Sequence, residues 1–374
     1  MKKSAQNRII IWSTVSVALI IVLIAGFIFS ATWGFPSINQ RRYGTYEYSI
    51  DTYDTEDEVL YEMSTDTTNS LLYSYDEIAQ VDIYLSTGKV IFKESDSDNI
   101  KISQIKDSSS DEAINSEGFY YTNEDGVLQI YGSKADFDLR DKDFSSSDFT
   151  LMFNDIFKSV KSKTIVAEIP RNAVTNYISI NTAGADIEFD NINTDTLTIN
   201  SFSGNANIDT VKSSYISVNN VSGKNKLSNI TSDQFELNCV SGDAEVEGNI
   251  DTIYLNSVSG DLDYSTYSLS TNLISINTVS GDTTITLPKN SGFTVINSSL
   301  SGEIKSGFDG RQIDEHYIYG DGSIEMELNS VSGSISIQPA NGNRSEQAKA
   351  EQKKNESKEA ATAQTDADNI DEKD

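Results

Sequence analysis

The sequence predicts an all-β chain: a β-solenoid (β-helix-like) of about 20-residue coils, preceded by a single N-terminal transmembrane helix and followed by a disordered tail. Three observations carry this. An uncharged apolar run spans Ile9–Ala31, an apolar-Ser-Gly tripeptide recurs seven times at near-constant spacing, and a polar stretch with interleaved Lys and Glu closes the chain from 341 to 374.

The apolar run holds 23 residues, with four hydroxyl side chains and no charge. About 20 apolar residues span a bilayer core as a helix. Trp12 and Trp33 lie near its ends, where amphipathic rings favour the interface. Lys2, Lys3 and Arg8 precede it and favour a cytoplasmic N-terminus, which makes residues 1–8 a cytoplasmic stub too short for a signalling domain. A cleaved signal peptide is the rival reading, but its apolar core is shorter and ends in a small-x-small site, where this chain has Phe29. The expected location is the cell membrane, single-pass, with the bulk of the chain extracytoplasmic.

Residues 32–77 form an acidic juxtamembrane segment. From 43 to 77 there are seven Tyr, ten acids and no Lys or Arg, a composition that suits a linker. The ectodomain is expected over 78–340. VDIYLSTGKVIF (81–92) reads as an early coil turning at Gly88, 95–117 as a surface loop, and GVLQIY (126–131) and TIVAEIP (164–170) as strands. An insertion at 135–163 separates the last two. Its Phe149, Met152, Phe153, Ile156, Phe157 and Val160 follow an amphipathic helical spacing, read as a cap over an open solenoid end or as a docking helix.

The repeat proper contains Phe202-Ser203-Gly204, Val221-Ser222-Gly223, Val240-Ser241-Gly242, Val258-Ser259-Gly260, Val279-Ser280-Gly281, Leu300-Ser301-Gly302 and Val331-Ser332-Gly333. Ala183-Gly184 is a degenerate first copy. From Gly184 onward the glycines are 20, 19, 19, 18, 21, 21 and 31 residues apart. Apolar residues five and seven positions before each glycine alternate with polar ones, as in Ile216/Val218 around Ser217. Period 2 marks a strand with one buried face. A unit this short cannot bury that face alone, and stacking on its neighbour can. Each unit is expected to run strand, Ser-Gly corner, strand, second corner, with glycine supplying a positive φ.

Two further columns track the repeat. Asn200, Asn219, Asn238, Asn256, Asn277 and Asn329 each stand four residues before a corner glycine, which predicts a ladder of stacked amides. A glycan-contacting stripe is the functional alternative. Asp243, Asp261, Asp282 and Glu303 each follow a corner glycine. A carboxylate row could hold Ca²⁺, which prefers many oxygen ligands, and Asp243, Asp261 and Asp282 are the candidates. Asn205, Lys224 and Ser334 break the row, and the competing reading is a carboxylate accepting turn backbone N–H groups. No other cofactor is expected. Cys239 takes a position filled elsewhere by small polar residues and reads as a strand residue.

The 303–322 stretch holds the chain's single His316 together with Asp309, Arg311, Asp314 and Glu315. It is the one place where acid, base and flexible backbone coincide, so a carbohydrate-active enzyme using this loop is an alternative function. A long connection before a final coil is the preferred reading.

Composition narrows the rest. The chain has Lys+Arg 28 against Asp+Glu 57, a net charge of −29, one His and one Cys. Such acidity argues against nucleic acid as a partner, one Cys excludes an intrachain disulfide, and one His excludes multi-His metal sites. Residues 1–42 hold five bases and no acid, which leaves a net of −34 on the remainder.

The units YLNSVSGDLDY, SINTVSGDTTITLP and YGDGSIEMELNSVSGSISIQ resemble the bacterial putative-adhesin family of β-strand-repeat envelope proteins, over roughly residues 78–340. The resemblance implies a β-solenoid domain of unknown function in the cell envelope, in some members linked to envelope stress. It implies neither a ligand nor a catalytic residue. The expected function is a non-catalytic, membrane-anchored scaffold whose partner is an envelope polymer, a cationic peptide or a membrane protein.

Overall fold

The computed structural model describes residues 61–63, 70–105, 118–140 and 162–340, apart from 172, 300 and 315. The expected stub, membrane anchor, helical stretch at 149–160 and tail from 341 lie outside the described residues. Among the described residues no helix is long and apolar enough to cross a membrane.

Among the described residues the fold is all-β, with one short α-helix and a 3-10 turn at Tyr75–Glu77. The early part comprises β1 (Tyr61–Met63), β2 (Leu71–Ser74), β3 (Gln80–Ser95), β4 (Asn99–Ile105), β5 (Phe119–Glu124), β6 (Val127–Tyr131), helix α1 (Lys134–Arg140) and β7 (Lys163–Pro170). The repeat follows as β8 (Thr175–Ser203), β9 (Ala206–Ser222), β10 (Asn225–Ser241), β11 (Ala244–Ser259), β12 (Leu262–Ser265), β13 (Leu273–Ser280) and β14 (Thr283–Leu287). The end is built from β15 (Phe293–Ser299), β16 (Ile304–Ser306), β17 (Arg311–Ile313), β18 (His316–Tyr319), β19 (Ile324–Ser330) and β20 (Ile335–Pro339).

The solenoid coil is legible in β9, which makes one full turn. Ala206 and Ile208 are buried, Asp209 and Thr210 both face out, Val211 and Ser213 are buried, Ser214 and Tyr215 both face out, and Ile216, Val218 and Asn220 are buried. Each pair of consecutive outward residues resets the alternation and marks a corner. With the Ser222-Gly223 corner this gives three corners per coil, one more than the sequence predicts. The second corner takes a left-handed residue, Asn191, Thr210 and Asn229 in successive coils, with φ of 56°, 54° and 56°. At the third, hydroxyls replace lost backbone pairing: Ser213 Oγ donates to Asp195 O and Tyr215 O, both at 2.9 Å.

Parallel, in-register stacking forms the core. Val81, Ile178, Leu197, Ile216, Phe235, Ile253, Ile274 and Met326 occupy one inward column and are all fully buried. Each such side chain stabilises the stack by about 1.5–3 kcal/mol. Phe92 and Phe189 stack face to face at 4.7 Å in a second column. Length variation is confined to corners. The 18-residue coil loses its residue between Val246 and Gly248, which oppose Leu227 and Ile230 of the coil before, and the next coil adds residues between Ser265 and Leu273.

Coil order departs from chain order at both ends. β3 lies between β8 and the later β6 and β7. At the other end β19 and β20 insert between β13 and β14 on one side and the earlier β15 and β16 on the other. The 31-residue interval before Gly333 is the chain leaving for the end coil and returning inside it. A stack of consecutive coils is therefore correct only in the middle of the solenoid.

Antiparallel strands cover the exposed ladders. β5 and then β1 close one wall beyond β6, β4 and then β2 close the other beyond β7, and β18 with β17 close the far end beyond β15. The outermost β1, β2, β16 and β17 have three or four residues each, which leaves little edge for another chain to pair with. β4 replaces part of the loop expected at 95–117, and β1 and β2 draw part of 32–77 into the sheet.

Candidate functional site

The wall that precedes each glycine corner carries the Asn column on its outer face. Asn200 Nδ2 donates to Asn181 Oδ1 at 2.9 Å, and the same bond recurs from Asn219 to Asn200, Asn238 to Asn219, Asn256 to Asn238, Asn277 to Asn256 and Asn329 to Asn277, at 2.9–3.0 Å. The ladder has seven rungs and one polarity. Asn181, its first rung, stands four residues before Ala185 and was not singled out by the glycine spacing. Beyond it the column becomes aromatic: Tyr84 pairs in register with Asn181 and stacks on Tyr131, with centroids 5.2 Å apart.

Two more columns lie beside the Asn ladder on the side away from the glycine corner, while the half-buried Phe202, Val221, Val240, Val258 and Val279 line its corner side. One runs through Ser179, Thr198, Ser217, Glu236, Tyr254, Ser275 and Glu327, the other through Tyr177, Thr196, Tyr215, Gln234, Thr252, Leu273 and Glu325. No Lys or Arg occurs among these positions. From Ser179 to Ser275 Glu236 is the one acid, the in-register Asp82 of β3 lying buried one coil earlier, and Glu236 accepts from Tyr215 Oη at 3.0 Å and Asn238 Nδ2 at 2.9 Å. Burial and the adjacent carboxylate push the Tyr215 phenol up to about 12. Charge is instead concentrated on the wall after the corner, in Asp186, Glu188, Lys226, Glu245, Asp263 and their neighbours. Reading the residues four, six and eight positions before each glycine would have exposed this asymmetry in the sequence.

The corner motif is explained residue by residue. The serine donates back one coil to the carbonyl of the motif's apolar position: Ser241 Oγ to Val221 O and Ser259 Oγ to Val240 O at 3.4 Å, Ser280 Oγ to Val258 O at 3.3 Å. The glycines Gly204, Gly223, Gly242, Gly260, Gly281 and Gly333 have φ between +113° and +132°. A Cβ on Gly242 would lie 2.1 Å from Gly223 O. Gly88 heads the same column, with φ of +126°. Gly302 stacks on Gly333 at the far end without a left-handed φ. Gly184 differs from expectation: Ala185 occupies the column beneath Gly204, and Gly184 sits one residue earlier, inside the continuous strand β8.

The residue after the corner has one recurring role wherever it is Asp or Asn between Asp186 and Asp282. Asp261 N donates to Asp243 Oδ1 at 3.3 Å, Asp282 N to Asp261 Oδ1 at 2.9 Å and Ser334 N to Asp282 Oδ1 at 2.8 Å. Asn205 serves Lys224 N in the same way. The carboxylates of Asp243, Asp261 and Asp282 are thus acceptors for the next coil's backbone, a job an amide does equally well. Among the described residues no group of three or more His, Cys, Asp or Glu is placed to hold a metal ion.

The 303–322 stretch is built as an end closure rather than a loop. β17 and β18 form a hairpin turning at Asp314, with φ of 52°, and β18 pairs antiparallel with β15. Phe308, Tyr317 and Tyr319 pack around Phe293, with centroid separations of 5.2, 6.3 and 5.5 Å. Gly310 N donates to Tyr317 Oη, which itself donates to Phe308 O. His316, Asp309, Arg311 and Asp314 are all exposed on this closure. Cys239 points inward, fully buried, and burial raises its thiol pKa.

Residues 78–322 match the model of the Toastrack DUF4097 family. The chain belongs to the Toastrack DUF4097 family. Solved structures with similarity to this Toastrack chain include a putative adhesin of Bacteroides fragilis, at 17% identity and a TM-score of 0.34, over 73% of this chain and 96% of that one. A putative lipid-binding protein of Parabacteroides distasonis matches at 14% identity and TM-score 0.40, over 74% and 98% of the two chains. A putative cell adhesion protein of Clostridium sporogenes matches at 13% and 0.20, over 73% and 98%. No curated protein matches the Toastrack chain.

Two acids of this Toastrack domain are buried near its N-terminal end. Asp82 is 4% exposed, and burial pushes its pKa up to about 6 against hydrogen bonds from Gln80 and Gln129. Asp136 in α1 accepts from Ser86 N at 3.1 Å, from Ser86 Oγ and from Ser133 Oγ at 2.8 Å. Its partners tie the start of the insertion to β3. Lys163, at the insertion's end, donates to Gly118 O at 2.9 Å and to Gly132 O. These groups close the insertion onto the first coils.

Proposed function

We propose that this Toastrack chain is a non-catalytic binding scaffold of the cell envelope, anchored by Ile9–Ala31 with its N-terminus cytoplasmic and its solenoid extracytoplasmic. The observation that carries the reading is the outer face built on the Asn ladder. It continues through seven coils without a break in register, and a repeated flat face suits an extended partner. The partner is an envelope polymer, a cationic peptide or another membrane protein. Avidity along the repeat supplies affinity without any single dominant residue.

The anchor and the binding are tested separately. Membrane fractions washed with carbonate should retain the full-length chain, and a chain released by the wash is not anchored. Full-length chain in detergent is then sedimented with isolated cell walls, anionic vesicles and a cationic antimicrobial peptide coupled to beads, each with calcium and with chelator. Saturable pull-down by one of them is expected. Recovery in the supernatant with all three removes the polymer and peptide partners, and crosslinking in cells that then captures no membrane protein removes the scaffold reading.

A further inference from the structure

The residue before each corner serine builds an apolar ridge along the solenoid. Phe202, Val221, Val240, Val258, Val279 and Val331 stand one per coil on the outer face, half-buried, between the Asn ladder and the glycine corner. Toward the N-terminal end the column continues as Ala183, whose carbonyl accepts from Ser203 Oγ at 3.1 Å, and then as Ser86 of β3. These two point outward like the rest, yet both are buried, at 0% and 3% exposure. Ser86 lies under the start of the 132–162 insertion, because its N and Oγ both donate to Asp136 of α1.

The insertion replaces this same corner in the outermost coil. β6 ends at Tyr131 opposite Tyr84, and β7 begins at Lys163 opposite Gly88, so residues 132–162 stand where β3 has 85–87. Residues 141–161 lie outside the described residues, and the chain on both sides of them stands at the foot of the ridge. Their length sets what they reach. Phe149, Met152, Phe153, Ile156, Phe157 and Val160 fall on one stripe of a helix about 18 Å long. Coils are about 4.8 Å apart, so such a helix matches nearly four of them. Val160 is three residues from Lys163 and stays within about 10 Å of it, or about two coils. From there the stripe runs over Phe202, Val221 and Val240, and residues 141–148 span up to about 27 Å back to α1.

The wall on the other side of the corner has no comparable seat. Lys89 pairs with Glu188 at 2.6 Å, and Glu168 with Lys93 and Lys101 at 2.9 and 2.8 Å. The exposed aliphatic side chains among them, Ile105 and Leu72, lie near opposite ends of β4. A second copy of a chain with net charge −29 is repelled, whereas a tethered segment acts at an effective concentration of about millimolar.

We propose that the ridge is the seat of the chain's own segment 149–160, lying along the stack as an amphipathic helix with its apolar stripe on Phe202, Val221 and Val240. The stretch that reads from the sequence as an end cap thus belongs on the long side of the solenoid. An external partner then meets the ladder wall from its polar columns, or on the ridge beyond Val240. The inference stands whether or not the scaffold reading holds.

The full-length chain in detergent, carrying Cys239→Ser, is the background for reporter cysteines, since Ser257 fills the Cys239 column in the next coil. A soluble maleimide should modify Val221→Cys at least tenfold faster when Phe149→Ser, Phe153→Ser and Phe157→Ser are added, and Val331→Cys at an unchanged rate. Equal rates at Val221→Cys with and without the three changes overturn the proposal. Where the three changes loosen the whole fold, Val331→Cys accelerates too, and a disulfide decides instead. Phe153→Cys with Val221→Cys should close within one chain under mild oxidation, and Phe153→Cys with Val331→Cys should not. No closure at Val221→Cys, equal closure at Val331→Cys, or closure only between two chains overturns the proposal.

Discussion

Asn238 Nδ2 donates to Asn219 Oδ1 at 2.9 Å, and Asn238 Oδ1 accepts from Asn256 Nδ2 at the same distance. Each interior rung therefore serves two neighbours, and its remaining N–H reaches within its own coil, as from Asn238 to Glu236 Oε1 at 2.9 Å. An array of this kind aligns one coil on the next as the side-chain counterpart of the backbone ladder.

Removing an interior rung leaves two partners stranded on a shielded face, whereas removing a terminal rung leaves one. Asn238→Ala should cost about 2–3 kcal/mol and Asn329→Ala about 1 kcal/mol. Chemical denaturation of the two variants checks the difference. Equal costs would mean that the rungs act singly rather than as a chain.

The corner glycine is fixed by two constraints at once. Gly242 has φ of +121°, and an added Cβ would stand 2.1 Å from Gly223 O and 3.0 Å from Gly223 N. Backbone in the neighbouring coil cannot yield without breaking the ladder. Gly242→Ala should lower stability by about 3 kcal/mol or more. A Cβ on Gly302 would also meet backbone, at 1.9 Å from Gly333 O, but its φ is not left-handed and its outermost coil is free to shift, so Gly302→Ala should cost less, and thermal melting of both variants measures the gap.

These two predictions rest on features already visible in the sequence, and the reason is physical. Gly242 and Asn238 hold their places because their chemistry is needed once per coil, so the period prints itself on the chain. Ala185 carries no such mark because its coil makes this one corner without a left-handed residue, and the adjacent Gly184 mimics the motif one position early. The insertion of β19 between β13 and β15 left no local trace: Asn329 has the same signature whichever coil it stacks on, and its bond to Asn277 spans 52 residues. The closure at 303–322 read as a possible active site because titratable residues are what an exposed hairpin surface carries. The uncharged ladder face became apparent only when outward positions could be sorted by wall.

Thr210 is the strained member of its column. Its φ is 54°, and the same corner is filled by Asn191 and Asn229 in the neighbouring coils. Asparagine tolerates the left-handed region, and a β-branched residue there is an outlier. Asn229 Nδ2 also donates to Asp209 Oδ1 at 2.9 Å, and Asp190, in register with Asp209, stands in the equivalent place for residue 210. Thr210→Asn should raise stability by about 1 kcal/mol. Unchanged or lowered melting temperature would show that the threonine methyl packs well enough to repay its backbone.

Asp82 makes the stability of the N-terminal coils depend on pH. Its carboxyl lies between Gln129 and Ser179 on the adjacent strands and is 4% exposed, with Gln80 Nε2 donating to both oxygens at 2.9 and 2.8 Å. Burial raises the pKa from 3.8 to about 6. The folded state therefore binds this proton more tightly than the unfolded chain. Its contribution is favourable below about pH 4 relative to neutral pH, and is lost as pH rises through about 6. A shift of this size is worth up to about 3 kcal/mol at pH 7. Asp136, also raised by burial, acts in the same direction, while Glu168, lowered by its bonds to Lys101 and Lys93, opposes it as pH falls. Comparing Asp82→Asn with the parent isolates the one group. The variant should gain about 2–3 kcal/mol on the parent at pH 7, and the gain should vanish by about pH 4. A gain that stays constant over that range would mean Asp82 does not titrate there, and that the amide stabilises through packing alone.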